Sequence, residues 1–165
     1  YSSDHRPDSL WYDGFPKQFI NGFLLYKQGD YESSEHVFNA FVENEKSDSL
    51  KSFGYYWLAM IQSQHDNPVK AIEVIDLSIA LYETYYYVYH RGRFNYQNGD
   101  LKQAIKDYTK AIKLDPEFSE SYTWRGIARL YRGQINNACL DIYEGANRGS
   151  NEAYGLLTQY CQRTR

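Results

Sequence analysis

No stretch of this sequence is apolar for long enough to cross a membrane as a helix, because a span needs roughly 18 apolar residues. The longest candidate is the short segment Phe23–Tyr26. An excess of basic residues is also missing: the net charge is −3, and the first 50 residues carry nine acidic and four basic side chains. Since duplex binding draws most of its affinity from clustered Lys and Arg, we do not expect a nucleic-acid partner.

Motifs that carry catalytic chemistry are missing as well. The sequence has no Gly-rich phosphate loop and no Gly-x-Ser-x-Gly turn. Its four histidines have no i, i+4 partner and no neighbouring cysteine, which argues against a metal site. We therefore predict no enzyme activity and no metal or other cofactor.

What the sequence does contain is a 34-residue unit written twice. Residues 85–118 and 119–152 align without a gap, and Gly99 in the first copy matches Gly133 in the second. A fixed period of this size is typical of a solenoid. Each unit is a helix hairpin that completes its apolar core only against its neighbours.

Two further copies precede these two. A glycine and a capping aspartate mark the turn between two helices at Gly29-Asp30 and again at Gly99-Asp100, and Asn67-Pro68 takes their place between them. The chain therefore divides into an N-terminal arm (1–14), four repeats (15–48, 52–84, 85–118, 119–152) and a capping helix with a tail (153–165). The predicted helices lie near 16–28, 31–44, 51–64, 68–82, 86–98, 101–114, 119–132, 135–147 and 152–162.

The repeat resembles the tetratricopeptide repeat, whose second helix ends in Ala, an aromatic residue and Pro. Ala111-Ile112 followed by Asp115-Pro116 is similar to that ending, and the resemblance covers residues 15–152. It implies an all-α fold, a right-handed α-solenoid of four hairpins plus a C-terminal capping helix. It also implies a non-catalytic scaffold of a type common in bacteria, which holds a peptide or protein segment on its concave face.

In this family the first helix of each hairpin lines the concave groove. The matching positions here are mainly aromatic, with one basic centre at His90 and Arg93 that we expect to receive an acidic group. Such an apolar surface usually marks an interaction site. The residues of the predicted groove are Phe19, Phe23, Phe53, Tyr56, Trp57, Met60, Tyr86, Tyr89, His90, Arg93, Trp124 and Ile127.

Two other functions remain open at this stage. The aromatic groove could stack on sugar rings, as in a glycan-binding or small-ligand-binding accessory module. It could instead take the acidic segment Tyr1–Asp13 of a second copy, which would make the protein a self-associating homo-oligomer. The family's carboxylate clamp is not expected, because aromatic residues such as Phe23 and Trp57 replace its Lys and Asn.

One polar pair recurs at the repeat period. Arg91 and Asp107 are 16 residues apart, and Arg125 and Asp141 occupy the same two positions of the next repeat. In the second repeat both positions are apolar. A joint change of this kind indicates that the two positions touch, so we predict an ion pair between the helices of each hairpin.

The two cysteines lie at symmetric distances from a turn. Cys139 lies on the second helix of the last repeat and Cys161 on the capping helix, and each is eleven residues from Ser150. In an antiparallel hairpin they would lie at the same height, so a disulfide and two buried thiols are both open. A bond would favour an extracytoplasmic location, periplasmic or at the surface, and free thiols a cytoplasmic one.

Overall fold

The computed structural model describes residues 14–161, and in this range the chain is helical with no β-strand. The helix bounds lie within three residues of those predicted, provided that the π-helical turn after the last α-helix is counted with it. The all-α helical-repeat fold of the solenoid class is confirmed. The N-terminal arm before Gly14 and the tail after Cys161 lie outside the described residues. The helices are α1 (Lys17–Gln28), α2 (Tyr31–Asn44), α3 (Asp48–Gln64), α4 (Pro68–Leu81), α5 (Tyr85–Gln97), α6 (Leu101–Leu114), α7 (Ser119–Tyr131), α8 (Ile135–Asn147) and α9 (Asn151–Leu156), with a π-helical turn at Leu157–Cys161.

These helices fall into two compact units that divide between Tyr82 and Glu83. The first unit contains the hairpins α1–α2 and α3–α4. The second contains the hairpins α5–α6 and α7–α8, followed by α9 and the π-helical turn, both of which pack on α8. None of the helices described is both long and apolar enough to span a membrane.

Side-chain caps at the turns explain why the helices begin where they do. The Asp100 carboxylate accepts a hydrogen bond from the backbone N–H of Gln103 at 2.9 Å, just after Gly99, whose φ of 82° lies in the left-handed region. Asn67 caps α4 in the same way, accepting from Lys70 N at 3.2 Å. Local chemistry of this kind is visible in the sequence.

Close contact between the two helices of a hairpin recurs at one repeat position. A glycine on the first helix faces a large side chain on the second, and each of the three opposing side chains is 0% exposed. A Cβ at these glycines would lie 3.0, 2.8 and 2.6 Å from the opposing side chain. In chain order the pairs are Gly22 with Phe38, Gly92 with Tyr108, and Gly126 with Ile142. The helices therefore approach more closely than a methyl group allows.

The Gly126→Ala variant tests this packing. It should lower the free energy of unfolding by about 1–3 kcal/mol, because the added methyl meets Ile142 Cγ1 at 2.6 Å and Ala138 O at 3.1 Å. Gly155 in α9 is the matched control, since no atom lies within 4 Å of its Cβ position. Gly155→Ala should stabilise by up to about 1 kcal/mol through helix propensity. Urea unfolding followed by circular dichroism measures both, and equal stabilisation by the two changes would contradict the close contact.

Candidate functional site

The predicted groove residues all lie on first helices, six in the first unit on α1 and α3 and six in the second on α5 and α7. Four of them, Phe19, Tyr56, Tyr89 and Ile127, are at most 9% exposed. Their side chains are buried by neighbouring helices and offer a partner no accessible surface, so the groove stays a prediction for the other eight residues. Tyr86 is exposed, and the half-buried members are Phe23, Phe53, Trp57, Met60, His90, Arg93 and Trp124.

In the first unit the aromatic residues serve mainly to pack the helices together. The Phe19 ring lies 5.4 Å from Phe38 and 5.5 Å from Phe41, both on α2. The Trp57 ring lies 5.0 Å from the ring of Phe23, and its buried indole N–H has no hydrogen-bond partner. Stacking and edge contacts of this kind stabilise the unit. They leave only the partly buried edges of the rings for a partner.

The second unit contains a cation held in place by aromatic side chains. The guanidinium of Arg93 on α5 lies over the indole of Trp124 on α7, with 3.9 Å between Cζ and the ring centroid. Its Nη1 donates a hydrogen bond to the Tyr89 hydroxyl at 3.3 Å. Within residues 14–161 no carboxylate forms an ion pair with Arg93, whereas Arg91 and Arg125 each have one. The orientation of Arg93 is therefore fixed, and among the described residues its guanidinium has no ion-pair partner.

Two tyrosines extend this surface. The Tyr96 ring lies 5.5 Å from the Trp124 ring and 5.9 Å from the Tyr131 ring, and Tyr131 is 72% exposed. Burial, together with a hydrogen bond to Tyr131, raises the pKa of Tyr96 to about 12. The Tyr96 phenol therefore stays neutral at physiological pH. We refer to Arg93, Tyr96, Trp124 and Tyr131 together as the Arg93 patch.

His90 does not contribute the positive charge that the sequence led us to expect. Its ring lies 4.6 Å from the Tyr86 ring and 5.1 Å from the Tyr89 ring. Burial lowers the pKa of His90 to about 3, and the charge of Arg93 acts in the same direction. The imidazole is neutral at physiological pH, so the basic centre consists of Arg93 alone.

Both ion pairs expected from the repeat comparison are present. Arg91 Nη2 lies 2.6 Å from Asp107 Oδ1, and Arg91 Nε donates to Oδ2 at 3.2 Å. Asp107 is 2% exposed and also accepts a hydrogen bond from Asn95 Nδ2 at 2.9 Å. Both oxygens of the carboxylate therefore accept hydrogen bonds inside the hairpin.

The corresponding carboxylate of the last repeat has two arginine partners. Arg125 Nη2 lies 2.7 Å from Asp141 Oδ1, and Arg129 Nη1 lies 2.6 Å from Oδ2. Arg125 Nη1 also donates to Thr109 Oγ1 on α6 at 3.1 Å, which connects the two hairpins of this unit. Arg129 follows Asn95 by one 34-residue period. The same repeat comparison could have found this second donor, which the sequence analysis missed.

The two cysteines form a disulfide in the structure. Cys139 on α8 and Cys161 at the end of the π-helical turn are joined with 5.6 Å between their Cα atoms. Both residues are half-buried. Of the two alternatives left open by the sequence, the structure has the bond.

Comparisons with known proteins agree with this architecture. A family model described as TPR repeat matches residues 92–138. A TPR repeat-containing protein of Methanocaldococcus jannaschii is 32% identical over 120 residues, which make up 72% of this chain and 20% of that protein. The chain spans about a fifth of the length of the curated relatives that it matches.

Two solved structures have a similar fold. The crystal structure of MamA has a TM-score of 0.74 at 22% identity and covers 83% of this chain and 79% of its own. YrrB, described as a TPR protein with an unusual peptide-binding site, has a TM-score of 0.74 at 14% identity and covers 86% of this chain and 73% of its own. At these identities the likeness concerns the fold.

The Arg91–Asp107 pair can be tested against the second repeat, where Leu58 and Val74 occupy the same positions. Arg91→Leu alone should lower the free energy of unfolding by about 3 kcal/mol, because it leaves the buried carboxylate without its charged partner. Combining Arg91→Leu with Asp107→Val should cost less than the single change, because no buried charge remains. Urea unfolding of the three proteins decides the matter. A double variant less stable than Arg91→Leu would refute the ion-pair account.

The low pKa of His90 predicts a pH dependence of stability. Below about pH 6.5 the unfolded chain binds a proton at His90 that the folded chain does not bind until about pH 3. The free energy of unfolding should therefore decrease as the pH is lowered through this interval. From pH 7 to pH 5 the loss at this site should be at most roughly 2 kcal/mol. Thermal unfolding of wild-type protein and the His90→Gln variant across this range measures the difference. Parallel pH profiles would mean that His90 titrates normally in the folded protein.

Proposed function

Because this chain is a tetratricopeptide-repeat protein, with a fold that generally serves as a non-catalytic scaffold for protein–protein interaction, we propose that it binds a peptide or protein segment through the Arg93 patch. The ligand would lie on the first-helix face of the second unit. This proposal is narrower than the groove expected from the sequence, since it leaves out the buried aromatic residues.

The state of Arg93 is the observation that carries the proposal. Arginine has five N–H donors in a planar fork, and Arg93 donates one of them to the Tyr89 hydroxyl. Stacking on Trp124 holds the guanidinium plane, so less side-chain entropy is lost when a ligand binds. A carboxylate is the group that such a fork binds best, because two parallel hydrogen bonds form at once.

The rest of the patch indicates what should flank that carboxylate. Tyr96, Trp124 and the exposed Tyr131 present aromatic faces with polar tips beside the guanidinium. Aromatic and arginine side chains at the centre of an interface usually supply most of the binding energy. We therefore expect a partner segment with an acidic residue next to an aliphatic or aromatic one.

Two alternatives rest on the same patch. The exposed ring of Tyr131 beside Tyr96 could stack on a sugar ring, which would make the protein a glycan-binding module. The acidic segment at residues 1–13 of a second copy could also supply the carboxylate, giving a homo-oligomer. For location we propose an oxidising, extracytoplasmic compartment, because the Cys139–Cys161 bond persists in such surroundings.

Selection from a displayed library of random dodecapeptides tests the main proposal. Enriched peptides should carry Asp or Glu beside an apolar residue, and Arg93→Glu should weaken their binding by at least about tenfold, because it replaces the pairing cation with a like charge. Fluorescence polarisation with the enriched peptides measures the change. The melting temperature of Arg93→Glu should stay near the wild-type value, because a partly exposed arginine with no ion-pair partner among the described residues contributes little to stability.

Arg132→Glu is the matched control, since Arg132 is an exposed arginine of the same unit outside the patch. It changes the net charge equally and should alter affinity by no more than about twofold. Equal losses in both variants would indicate long-range charge attraction rather than a site at Arg93. Binding that survives Arg93→Glu would place the site elsewhere. Oligosaccharide binding without peptide enrichment would favour the glycan alternative.

A further inference from the structure

The C-terminal cap consists of α9 and the π-helical turn, and it covers an apolar surface of α8. Ala153 is fully buried against Ile142 and Ala146, and the partly buried Leu156 and Leu157 pack on the same cluster. Ala153 lies one 34-residue period after Ser119, the first residue of α7. The cap therefore packs against α8 in the way that α7 packs against α6. Without the cap, α8 would expose apolar side chains to water.

Few noncovalent contacts hold this cap in place. Ala153 is its only residue that is fully buried, and residues 157–161 include none. At the start of α9 the Thr123 hydroxyl donates to Ser150 Oγ at 2.9 Å, and Ser150 Oγ accepts from Ala153 N at 3.4 Å. The end of the π-helical turn is joined to α8 by the disulfide, 22 residues along the chain from Cys139. The covalent bond is therefore the main restraint on the last five residues of the cap.

We propose that the Cys139–Cys161 disulfide is a reducible latch that decides whether the cap stays docked on α8. A dithiol reductant attacks the sulfur of one of the two half-buried cysteines, the S–S bond breaks, and both cysteines become thiols. The reductant supplies two electrons and two protons and leaves as its own cyclic disulfide. Reduction opens the loop between cysteines 22 residues apart, so the cap gains chain entropy when it leaves α8. Residues 157–161 include no buried side chain, so their apolar burial opposes this release only weakly.

Release of the cap uncovers a defined apolar surface. Ile142 and Ala146 on α8 lose the contacts that Ala153 and the cap leucines make with their cluster. The remaining helices of the unit keep their own ion pairs and close contacts, such as Arg125 with Asp141. The latch thus changes one end of the unit while the hairpins remain folded.

Hydrogen–deuterium exchange of the full chain tests the latch, with dithiothreitol as the reductant and no denaturant. Reduction should speed amide exchange in residues 151–161 by about tenfold or more and leave α5 to α8 within about twofold. A protein carrying both Cys139→Ser and Cys161→Ser should behave like reduced wild-type protein without added thiol. Binding of the dye ANS should rise in both, and reoxidation with glutathione disulfide should restore protection only in wild-type protein.

Three results would overturn the inference. The cap could keep its protection after complete reduction, which would show that packing alone holds it. All of α5 to α8 could lose protection together with the cap, which would make the bond a support of the whole unit. The bond could also resist dithiothreitol until the protein is unfolded in urea, which would mean that the folded chain shields it from reductants.

Discussion

Close approach of the two helices in a hairpin is the constraint on which the other features of this protein depend. Gly92 contacts Tyr108, and the residues next to them in the chain, Arg91 and Asp107, form the buried ion pair. A Cβ at Gly92 would also meet Asp107 Cβ at 3.2 Å. Because Gly92 has no side chain, the two helices can approach closely enough for the Asp107 carboxylate to reach the Arg91 guanidinium. The turn of the helix then directs the following residue, Arg93, to another face, where it meets Trp124 of the next hairpin.

The elements that could be predicted from the sequence are those set by local chemistry or by comparison of one repeat with the next. Helix bounds depend on caps such as Asp100 and Asn67, whose partners lie three residues away. The ion pairs depend on contacts inside one hairpin, and two copies of that hairpin could be compared. The solenoid class is likewise predictable from the sequence, since the 34-residue period itself specifies it.

The composition of the candidate site was harder to predict, because it depends on how neighbouring hairpins pack. Tyr89 occupies a position that faces the groove in the family, yet here its ring lies 5.0 Å from Phe118 and is buried. Trp124 and Arg93 are 31 residues apart, and only the angle between adjacent hairpins brings them into contact. Residue type alone also gives no warning that the surroundings of His90 lower its pKa to about 3. A period fixes which residues are equivalent, whereas burial depends on the size of every neighbour.

The disulfide also determines how the second unit would respond to mechanical force. Tension on the chain beyond Cys161 passes through the S–S bond directly into α8 at Cys139, so the backbone of residues 140–160 carries none of it. The first noncovalent contacts to bear the load are those that hold α8 on α7. Tension applied beyond Cys161 therefore reaches the fourth hairpin without passing along the backbone of the cap.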